Sequence, residues 1–180
     1  MRFSTETTGQ TAEIINLFRR VFTASEGADE GDLIGQLVRD MFETTPTNDL
    51  VVVSALDENG ALAGCIIFTP LSFENDDRTV FVLAPVAVAT ERQGMGVGQA
   101  LLRYGIDILR ERGTDVAVTY GDPNYYSKVG FAHVTVQDVP APRSLNHPEG
   151  WLAQSLTDQP LTPLKGPSSC VPALDRPEYW

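Results

Sequence analysis

Residues 86–102 read Val-Ala-Val-Ala-Thr-Glu-Arg-Gln-Gly-Met-Gly-Val-Gly-Gln-Ala-Leu-Leu. An apolar run typical of a buried strand leads into three alternating glycines, Gly94, Gly96 and Gly98, and a helix-periodic run begins near Val97. Because glycine has no Cβ, such a loop can turn several backbone N–H groups toward one anion, and the start of the following helix adds unpaired donors and a positive dipole end. The stretch therefore predicts a cradle for a phosphate group.

The glycine spacing excludes the two commonest phosphate-binding loops. A dinucleotide fingerprint would need its third glycine at Gln99 or Leu101, and a P-loop would need a lysine directly after the glycines. The pattern that fits is Gln-x-x-Gly-x-Gly, formed by Gln93, Gly96 and Gly98. It resembles the coenzyme A pyrophosphate loop of the GNAT family of N-acetyltransferases.

A second stretch supports the same resemblance. Gly-Asp-Pro-Asn-Tyr-Tyr-Ser-Lys-Val-Gly-Phe, residues 121–131, is similar to the family's later Tyr-x-x-x-Gly-Phe element and to the wording of its YhbS-like branch. The two elements occur in the family's order, and the resemblance extends over about residues 50–131. It implies an α/β (α+β) fold with a mixed, mostly antiparallel sheet, a central parallel strand pair splayed to hold acyl-CoA, and helices on both faces.

Length and composition predict one globular domain. We expect a single N-acetyltransferase domain over residues 1–156 and a tail over 157–180, whose aromatic end, Tyr179 and Trp180, predicts packing on the same domain. The 180 residues are 42% hydrophobic, mean hydropathy is −0.10, and neither a membrane-spanning run nor a signal-peptide core is visible, which predicts a cytoplasmic protein. Cys65 and Cys170 have no metal-ligand or disulfide spacing, so we expect ordinary thiols and no metal.

The formal net charge of −11 argues against nucleic acid and anionic membranes as partners, because both require lysine and arginine to neutralise phosphates. A cationic or amine-bearing substrate would be attracted. The alternative is that the acidic surface only keeps the protein in solution. The family resemblance adds a homodimer as a common arrangement.

Hydrophobic periodicity predicts the order of the elements. An edge strand over 2–6 precedes two amphipathic helices separated by a polar, acidic loop over 25–32. Two strands joined by an Asn-Gly turn at 57–60 follow, and then a strand over 79–88, in which Pro85 predicts a bulge. The remaining predictions are a helix over 97–112, a strand over 115–120 parallel to the 79–88 strand, a short helix capped by Asp122, a strand over 131–139 and its antiparallel partner over 151–156.

The resemblance implies roles for individual residues. The backbone N–H of Val88 corresponds to the group that polarises the acetyl carbonyl, and Tyr126 corresponds to the general acid that protonates the leaving thiolate. An alternative role for Tyr126 is to anchor the cofactor by packing. Set out in full, the expected acetyl-CoA site consists of Val86, Ala87, Val88, Gln93, Gly94, Met95, Gly96, Val97, Gly98, Gln99, Asn124 and Tyr126.

No residue stands out as a general base. The candidates are the two histidines and four acidic residues, namely His133, His147, Glu26, Asp29, Glu30 and Glu43, and water can also remove the amine proton. Three functions stay open at this point. They are an acetyl-CoA-dependent N-acetyltransferase acting on a primary amine, a non-catalytic acyl-CoA-binding regulatory module of the same fold, and a nucleotide-binding α/β protein.

Overall fold

The computed structural model describes all residues from 1 to 180, which form eight strands and four α-helices. The strands are β1 (Arg2–Ser4), β2 (Val51–Leu56), β3 (Leu62–Phe73), β4 (Val80–Val88), β5 (Val116–Tyr120), β6 (Ala132–His133), β7 (Trp151–Ser155) and β8 (Ser168–Cys170). The helices are α1 (Thr11–Glu26), α2 (Ala28–Thr44), α3 (Val97–Glu111) and α4 (Pro123–Tyr126). None of the helices is long and apolar enough to cross a bilayer.

The chain divides into two compact units. The first comprises Met1–Phe68 and Pro85–Gly105, and the second comprises Thr69–Ala84 and Ile106–Trp180. Strands β3 and β4 and helix α3 each contribute one end to each unit. The single domain over 1–156 with a tail over 157–180 stays a prediction.

The first unit buries one stripe of each amphipathic helix. In α1 the buried residues include Ile14 and Phe18, and in α2 they include Leu37, Val38 and Met41, all at helical spacing. The strand order within this unit is β1-β2-β3-β4, and every residue of β2 is buried. A strand covered on both faces reads as a continuous apolar run, which is why this stretch was recognisable in the sequence.

The second unit contains the parallel pair. Its strand order runs from the end of β3 through β4, β5 and β7 to β6, and β8 pairs with the end of β3. The register between β4 and β5 is parallel from Val80 opposite Val116 to Leu83 opposite Thr119. Strand β5 pairs antiparallel with β7, and β7 with β6. The predicted mixed sheet, mostly antiparallel with one central parallel pair, is confirmed.

Two sequence predictions about individual elements are wrong. The acidic loop over 25–32 does not form, because Gly27 alone separates α1 from α2 with a φ of 105°, and Asp29 and Glu30 lie in the first turn of α2. Acidic side chains are favourable there because they face the positive end of the helix dipole. These polar residues therefore start a helix instead of forming a loop.

The strand predicted over 131–139 is only two residues long. After β6, Thr135 and Asp138 form a turn in which the Asp138 carboxylate accepts hydrogen bonds from the Thr135 N–H (3.3 Å) and hydroxyl (2.8 Å). The Val139 N–H then donates to the Thr135 carbonyl at 2.9 Å. These local bonds replace the ladder bonds of a strand. The predicted antiparallel pairing with the strand that begins at Trp151 does occur.

The last part of the chain contains a strand that the sequence did not reveal. Ser168–Cys170 pairs with β3, and the chain ends at Trp180, which is 3% exposed. The Trp180 ring stacks on Tyr120 and meets Trp151 edge-on, and its indole N–H donates to the Leu174 carbonyl at 2.9 Å. The aromatic end is thus part of the core of the second unit.

Candidate acetyl-CoA site

The glycine loop of the first unit presents an open backbone surface. Gly94 and Gly96 have φ values of 72° and 80°, the region in which side chains are strained. A Cβ placed on either glycine would meet no atom within 4 Å, so the space above both residues is clear. Met95, which lies between them, is 68% exposed. A ligand can therefore approach this backbone without displacing protein atoms.

The start of α3 supplies hydrogen-bond donors next to the loop. The first backbone bond of the helix runs from the Ala100 N–H to the Gly96 carbonyl at 3.1 Å. The N–H groups of Val97, Gly98 and Gln99 precede this bond, so they have no acceptor within the helix. A helix N-terminus thus lies behind an open glycine backbone, and phosphate binding at this loop stays a prediction.

Two side chains hold the loop against its neighbours. The Gln93 amide Nε2 donates to the Val88 carbonyl at 3.0 Å, which ties the loop to the end of β4. The Arg92 Nη2 lies 3.0 Å from the Asp57 Oδ2, and Asp57 also accepts the N–H groups of Asn59 and Ala61 at 2.9 Å each. These backbone hydrogen bonds, and then Arg92, lower the pKa of the Asp57 carboxyl. The charge of Arg92 is thus paired within the protein.

The end of β4 exposes one backbone N–H at an unpaired edge. The Ala89 N–H donates to the Ala63 carbonyl of β3 at 2.9 Å. Since successive N–H groups of an extended chain point to opposite sides, the Val88 N–H points away from β3, as does the Val88 carbonyl that accepts Gln93. The register with β5 has already ended at Leu83. No strand therefore pairs with the Val88 N–H.

The side chains of this strand end alternate in burial. Ala87 is buried, whereas Val86 and Val88 are half-buried on the other face. Behind them, a Cβ on Gly64 would lie 3.2 Å from the Ala87 carbonyl oxygen, and a Cβ on Gly105 would lie 2.7 Å from the Phe68 ring. Only glycine allows α3 to lie this close to β3. The pattern of the sequence did not reveal this close approach.

Tyr126 lies on α4 in the second unit. The helix is capped as predicted, since the Asp122 carboxylate accepts the Asn124 N–H at 2.9 Å and Pro123 occupies the first turn. Asn124 itself is exposed. After Tyr126 a 3-10 turn leads to Gly130, whose φ of 98° ends the segment. The glycine of the Tyr-x-x-x-Gly-Phe element is therefore a backbone requirement.

The Tyr126 ring is enclosed on several sides. Phe131 and Tyr125 contact it edge-to-face, with centroids 5.9 and 5.2 Å away, and a Cβ on Gly121 would lie 2.7 Å from its Cε2 atom. Burial raises the pKa of Tyr126 to about 12, and the nearby Thr119 hydroxyl opposes that shift. Sequence reasoning missed Gly121 and Thr119 as neighbours of this ring.

The base candidates show no special arrangement. His133 is exposed, and His147 is exposed with its Nδ1 3.4 Å from the Glu149 carboxylate. Partial burial, and then the nearby Glu26 carboxylate, raises the pKa of Glu30. Asp29 and Glu43 are exposed on α2. Partial burial and a raised pKa therefore set Glu30 apart, but the structure marks none of these residues as a base.

The two cysteines are ordinary thiols with suppressed reactivity. Cys65 is buried and Cys170 is half-buried, and neither forms a disulfide. Burial raises the pKa of Cys65 to about 12 and that of Cys170 to about 11. A thiolate nucleophile is therefore disfavoured at neutral pH. The structure contains no group of three or more histidine, cysteine or acidic side chains placed to hold a metal ion.

Comparison with protein families and curated proteins agrees with the resemblance. A profile described as the acetyltransferase (GNAT) family matches residues 11–131. The chain is 37% identical over 159 residues to the uncharacterized N-acetyltransferase YjhQ of Escherichia coli K12, covering 85% of this chain and 84% of YjhQ. It is 34% identical over 115 residues, 64% of each chain, to the uncharacterized N-acetyltransferase YhbS of the same strain.

Solved structures share the fold. The crystal structure of YhbS from Escherichia coli in complex with CoA has a TM-score of 0.82 and 27% identity, covering 97% of this chain and 92% of YhbS. A GNAT family acetyltransferase from Brucella melitensis in complex with acetyl-CoA has a TM-score of 0.72 and 23% identity, covering 97% of both chains. The second comparison concerns the fold alone.

Proposed function

The chain belongs to the GNAT family of acetyltransferases, and from this premise we propose that it moves the acetyl group of acetyl-CoA to a primary amine by direct attack. The amine belongs to a small molecule or to a protein. The observation that carries the proposal is the set of donors at Val97, Gly98 and Gln99 behind the clear surface of Gly94 and Gly96. This arrangement suits the pyrophosphate of CoA.

We assign pyrophosphate binding to residues 93–99, acting mainly through the backbone. The loop contains no lysine or arginine between Gln93 and Gln99, and Arg92 is paired with Asp57. Helix-terminal N–H groups together with the helix dipole are sufficient to bind an anion. Gln93, which donates to the Val88 carbonyl, keeps the loop in register with β4. Asn124 is assigned to the same cofactor as a surface contact.

The Val88 N–H is assigned to the acetyl carbonyl, with Val86 and Ala87 flanking the pantetheine arm. An N–H that points away from β3 at an unpaired strand edge can donate to the carbonyl oxygen as negative charge develops on it. Donors of this kind contribute about 2.7 to 4 kcal/mol in other acyl-transfer enzymes. The Val88 side chain is not needed for this role.

Tyr126 is assigned as the general acid for the CoA thiolate. With a pKa of about 12 its phenol stays protonated at neutral pH, as an acid requires. Complete transfer of the proton to a thiolate of pKa about 8.5 would then be uphill by several kcal/mol, more than the pKa of about 10 of an isolated phenol implies. The protonation is therefore coupled to C–S bond cleavage, and the proton lost by the attacking amine restores the phenol.

A mechanism of direct attack also agrees with the environment of the two cysteines. An acyl-enzyme route would need a reactive thiolate, and burial disfavours the thiolate at Cys65 and Cys170.

The attacking amine must lose a proton in either mechanism. We propose that water removes it, since His133 is exposed and the carboxylates of α2 show no arrangement that marks one of them as a base. The net charge of −11 favours a cationic acceptor.

The first experiment is calorimetric titration of the protein with acetyl-CoA and, separately, with NAD. We expect binding of acetyl-CoA alone, and its loss in Gly96→Asp, which puts a carboxylate into the cradle. Gly113→Asp is the matched control, because Gly113 has a similar φ of 77° and equally clear space above it. Binding that survives in Gly96→Asp, or that is lost equally in both variants, contradicts the assigned loop.

Turnover separates the enzyme from a non-catalytic acyl-CoA-binding module. CoA thiol release is measured with an α-amine peptide, a lysine peptide and an aliphatic diamine as acceptors, and Tyr126→Phe serves as the mechanistic control. Binding of acetyl-CoA without acceptor-dependent thiol release would favour the regulatory module. We further propose a cytoplasmic location and a homodimer, the latter tested by light scattering during size-exclusion chromatography.

A further inference from the structure

The turn between β2 and β3 is built around the side chain of Asp57. Its Oδ1 accepts the backbone N–H groups of Asn59 and Ala61, each at 2.9 Å, and the Asp57 N–H donates to the Ala61 carbonyl at 2.9 Å. Gly60 completes the turn with a φ of 82°. One carboxylate oxygen is sufficient for these bonds. The turn therefore leaves the second oxygen, Oδ2, for a different partner.

That second oxygen joins the turn to the segment in front of the glycine loop. It accepts from the Arg92 Nη2 at 3.0 Å, although the two residues are 35 positions apart in the sequence. An exposed ion pair usually contributes little, because both side chains must be ordered to form it. Here two backbone N–H groups already order the Asp57 carboxylate, which is only 13% exposed. Asp57 is thus a fixed support for the Arg92 side chain.

The other bonds of the segment before the glycines are short-range. The Arg92 N–H donates to the Ala89 carbonyl at 2.7 Å, and the Gln93 amide donates to the Val88 carbonyl at 3.0 Å. These partners lie within five residues, at the end of the strand from which the loop continues. Glycine backbone adopts many conformations at little cost. A bond from Arg92 to another hairpin therefore restricts the loop before a ligand arrives.

We propose that Asp57 is a positioning residue for acetyl-CoA, which acts through Arg92 to hold the glycine loop in the conformation that binds the pyrophosphate. The inference rests on the proposed binding of acetyl-CoA at residues 93–99. When only a fraction of the protein has the binding conformation, the measured Kd rises by the inverse of that fraction. Asp57 therefore raises the affinity without touching the ligand.

Direct contact between Arg92 and a phosphate would give the opposite result. Asp57 would then compete with the phosphate for the guanidinium, and removal of the Asp57 charge would tighten binding. In the positioning role, removal of the same charge weakens binding because Arg92 loses its support. The direction in which Kd changes in Asp57→Asn therefore separates the two roles.

The test measures the Kd of acetyl-CoA by calorimetry in Asp57→Asn and Glu58→Gln. Asparagine keeps one oxygen for the N–H groups of the turn and presents an NH2 group to Arg92, which cannot accept. Glu58 is exposed in the same turn, so Glu58→Gln removes an equal charge and keeps the bond between Asp57 and Arg92. We expect Kd to rise about three- to tenfold in Asp57→Asn and to stay within about 1.5-fold in Glu58→Gln. An unchanged or lower Kd in Asp57→Asn, or an equal rise in both variants, overturns the inference.

Arg92→Gln tests the same contact from the other side and leaves the turn bonds of Asp57 intact. We expect a similar rise in Kd, and no further rise when Arg92→Gln is combined with Asp57→Asn, because both act through one contact. The rise should be equal for CoA and 3′-dephospho-CoA, since both ligands carry the pyrophosphate. Losses that multiply in the double variant, or a loss confined to CoA, would show that Arg92 binds the ligand itself and would refute the positioning role.

Kinetics and hydrogen exchange separate positioning from a general loss of structure. In Asp57→Asn the KM for acetyl-CoA should rise together with Kd, and kcat should stay within about twofold, because the loop holds the ground state and the transition state equally. In the protein without ligand, amide exchange should quicken in peptides covering residues 89–100 and stay at the wild-type rate in peptides from α2. Wild-type exchange across the loop, or a fall in kcat alone, contradicts the inference.

Failure of the proposed function would appear in the wild-type protein. If the wild type binds no acetyl-CoA, the assigned loop is wrong, and the inference falls with it. If the wild type binds acetyl-CoA and Asp57→Asn binds it equally well, acetyl-CoA binding stands and only the role of Asp57 is refuted.

Discussion

Gly121→Ala should damage catalysis by moving a ring that lies outside the glycine loop. A Cβ at this position would be 2.7 Å from the Cε2 atom of Tyr126. Carbon atoms in contact prefer about 3.5 to 4.0 Å, so the ring must retreat by roughly 1 Å. The phenol oxygen moves with it, because the ring is rigid and is already in contact with Phe131 and Tyr125.

The expected result is a loss in kcat of about 10- to 100-fold, since a displacement of about 1 Å at a reacting group costs up to about 100-fold. KM for acetyl-CoA should stay within about twofold, because the glycine loop is unchanged. Gly121 lacks a left-handed φ, so alanine adds no backbone strain. The size of the effect therefore reports on the ring and not on a broken turn.

The assay is the initial rate of thiol release with the best acceptor of the amine panel, together with the melting temperature of each variant. Gly121→Ala combined with Tyr126→Phe provides the control, because a substitution that acts only on the phenol cannot add to the loss of the phenol. A Gly121→Ala variant with wild-type kcat would refute the reasoning. So would a loss of the same factor in the Tyr126→Phe background.

Three further predictions concern stability and pH. Gly105→Ala should destabilise the fold by about 1 to 3 kcal/mol in denaturant unfolding, because its Cβ would lie 2.7 Å from the Phe68 ring. Arg78→Lys should cost about 1 to 3 kcal/mol in the same measurement, since it removes the paired bonds to Asp76 at 2.7 and 2.9 Å. Because the pKa of Tyr126 is raised to about 12, the neutral phenol contributes fully to the free energy of unfolding below about pH 10, and this contribution is lost between about pH 10 and about pH 12. Thermal melts of Tyr126→Phe should show a smaller loss of stability over this pH range.

Each of these expectations has a contradicting result. If Gly105→Ala is as stable as the wild type, the Phe68 ring moves aside without lowering the free energy of unfolding. An Arg78→Lys variant as stable as the wild type would mean that one ammonium replaces the guanidinium at Asp76. An alkaline stability loss of equal size in Tyr126→Phe would assign that loss to other groups.

The parts that the sequence predicted correctly depend on local geometry. Gly94 and Gly96 mark positive φ values, and Asp122 marks a helix start through its own side chain. Such requirements act within a few residues, so residue type and spacing reveal them. The parallel pairing of β5 with β4 also followed from local patterns, because a helix connects the two strands.

The parts that were missed depend on partners distant in the sequence or on competing local bonds. Strand β8 pairs with β3 from Leu71 opposite Cys170, and a strand of three residues has no pattern that identifies a partner so distant in the sequence. The Thr119 hydroxyl donates to the Leu83 carbonyl, which lies 36 residues earlier in the chain, and no spacing rule connects the two residues. The raised pKa of Tyr126 follows from burial, which is a property of the folded chain.

Reliance on the main chain changes what mutagenesis can detect. The donors next to the glycine loop are backbone N–H groups, and the intervening Met95 points into solvent. Truncating the side chains of Met95 or Gln99 to alanine leaves every one of these donors in place. An alanine scan would therefore miss the centre of the proposed binding surface. Proline at Gly98 or Gln99, which deletes a single donor within the first turn of α3, is the substitution able to reveal it.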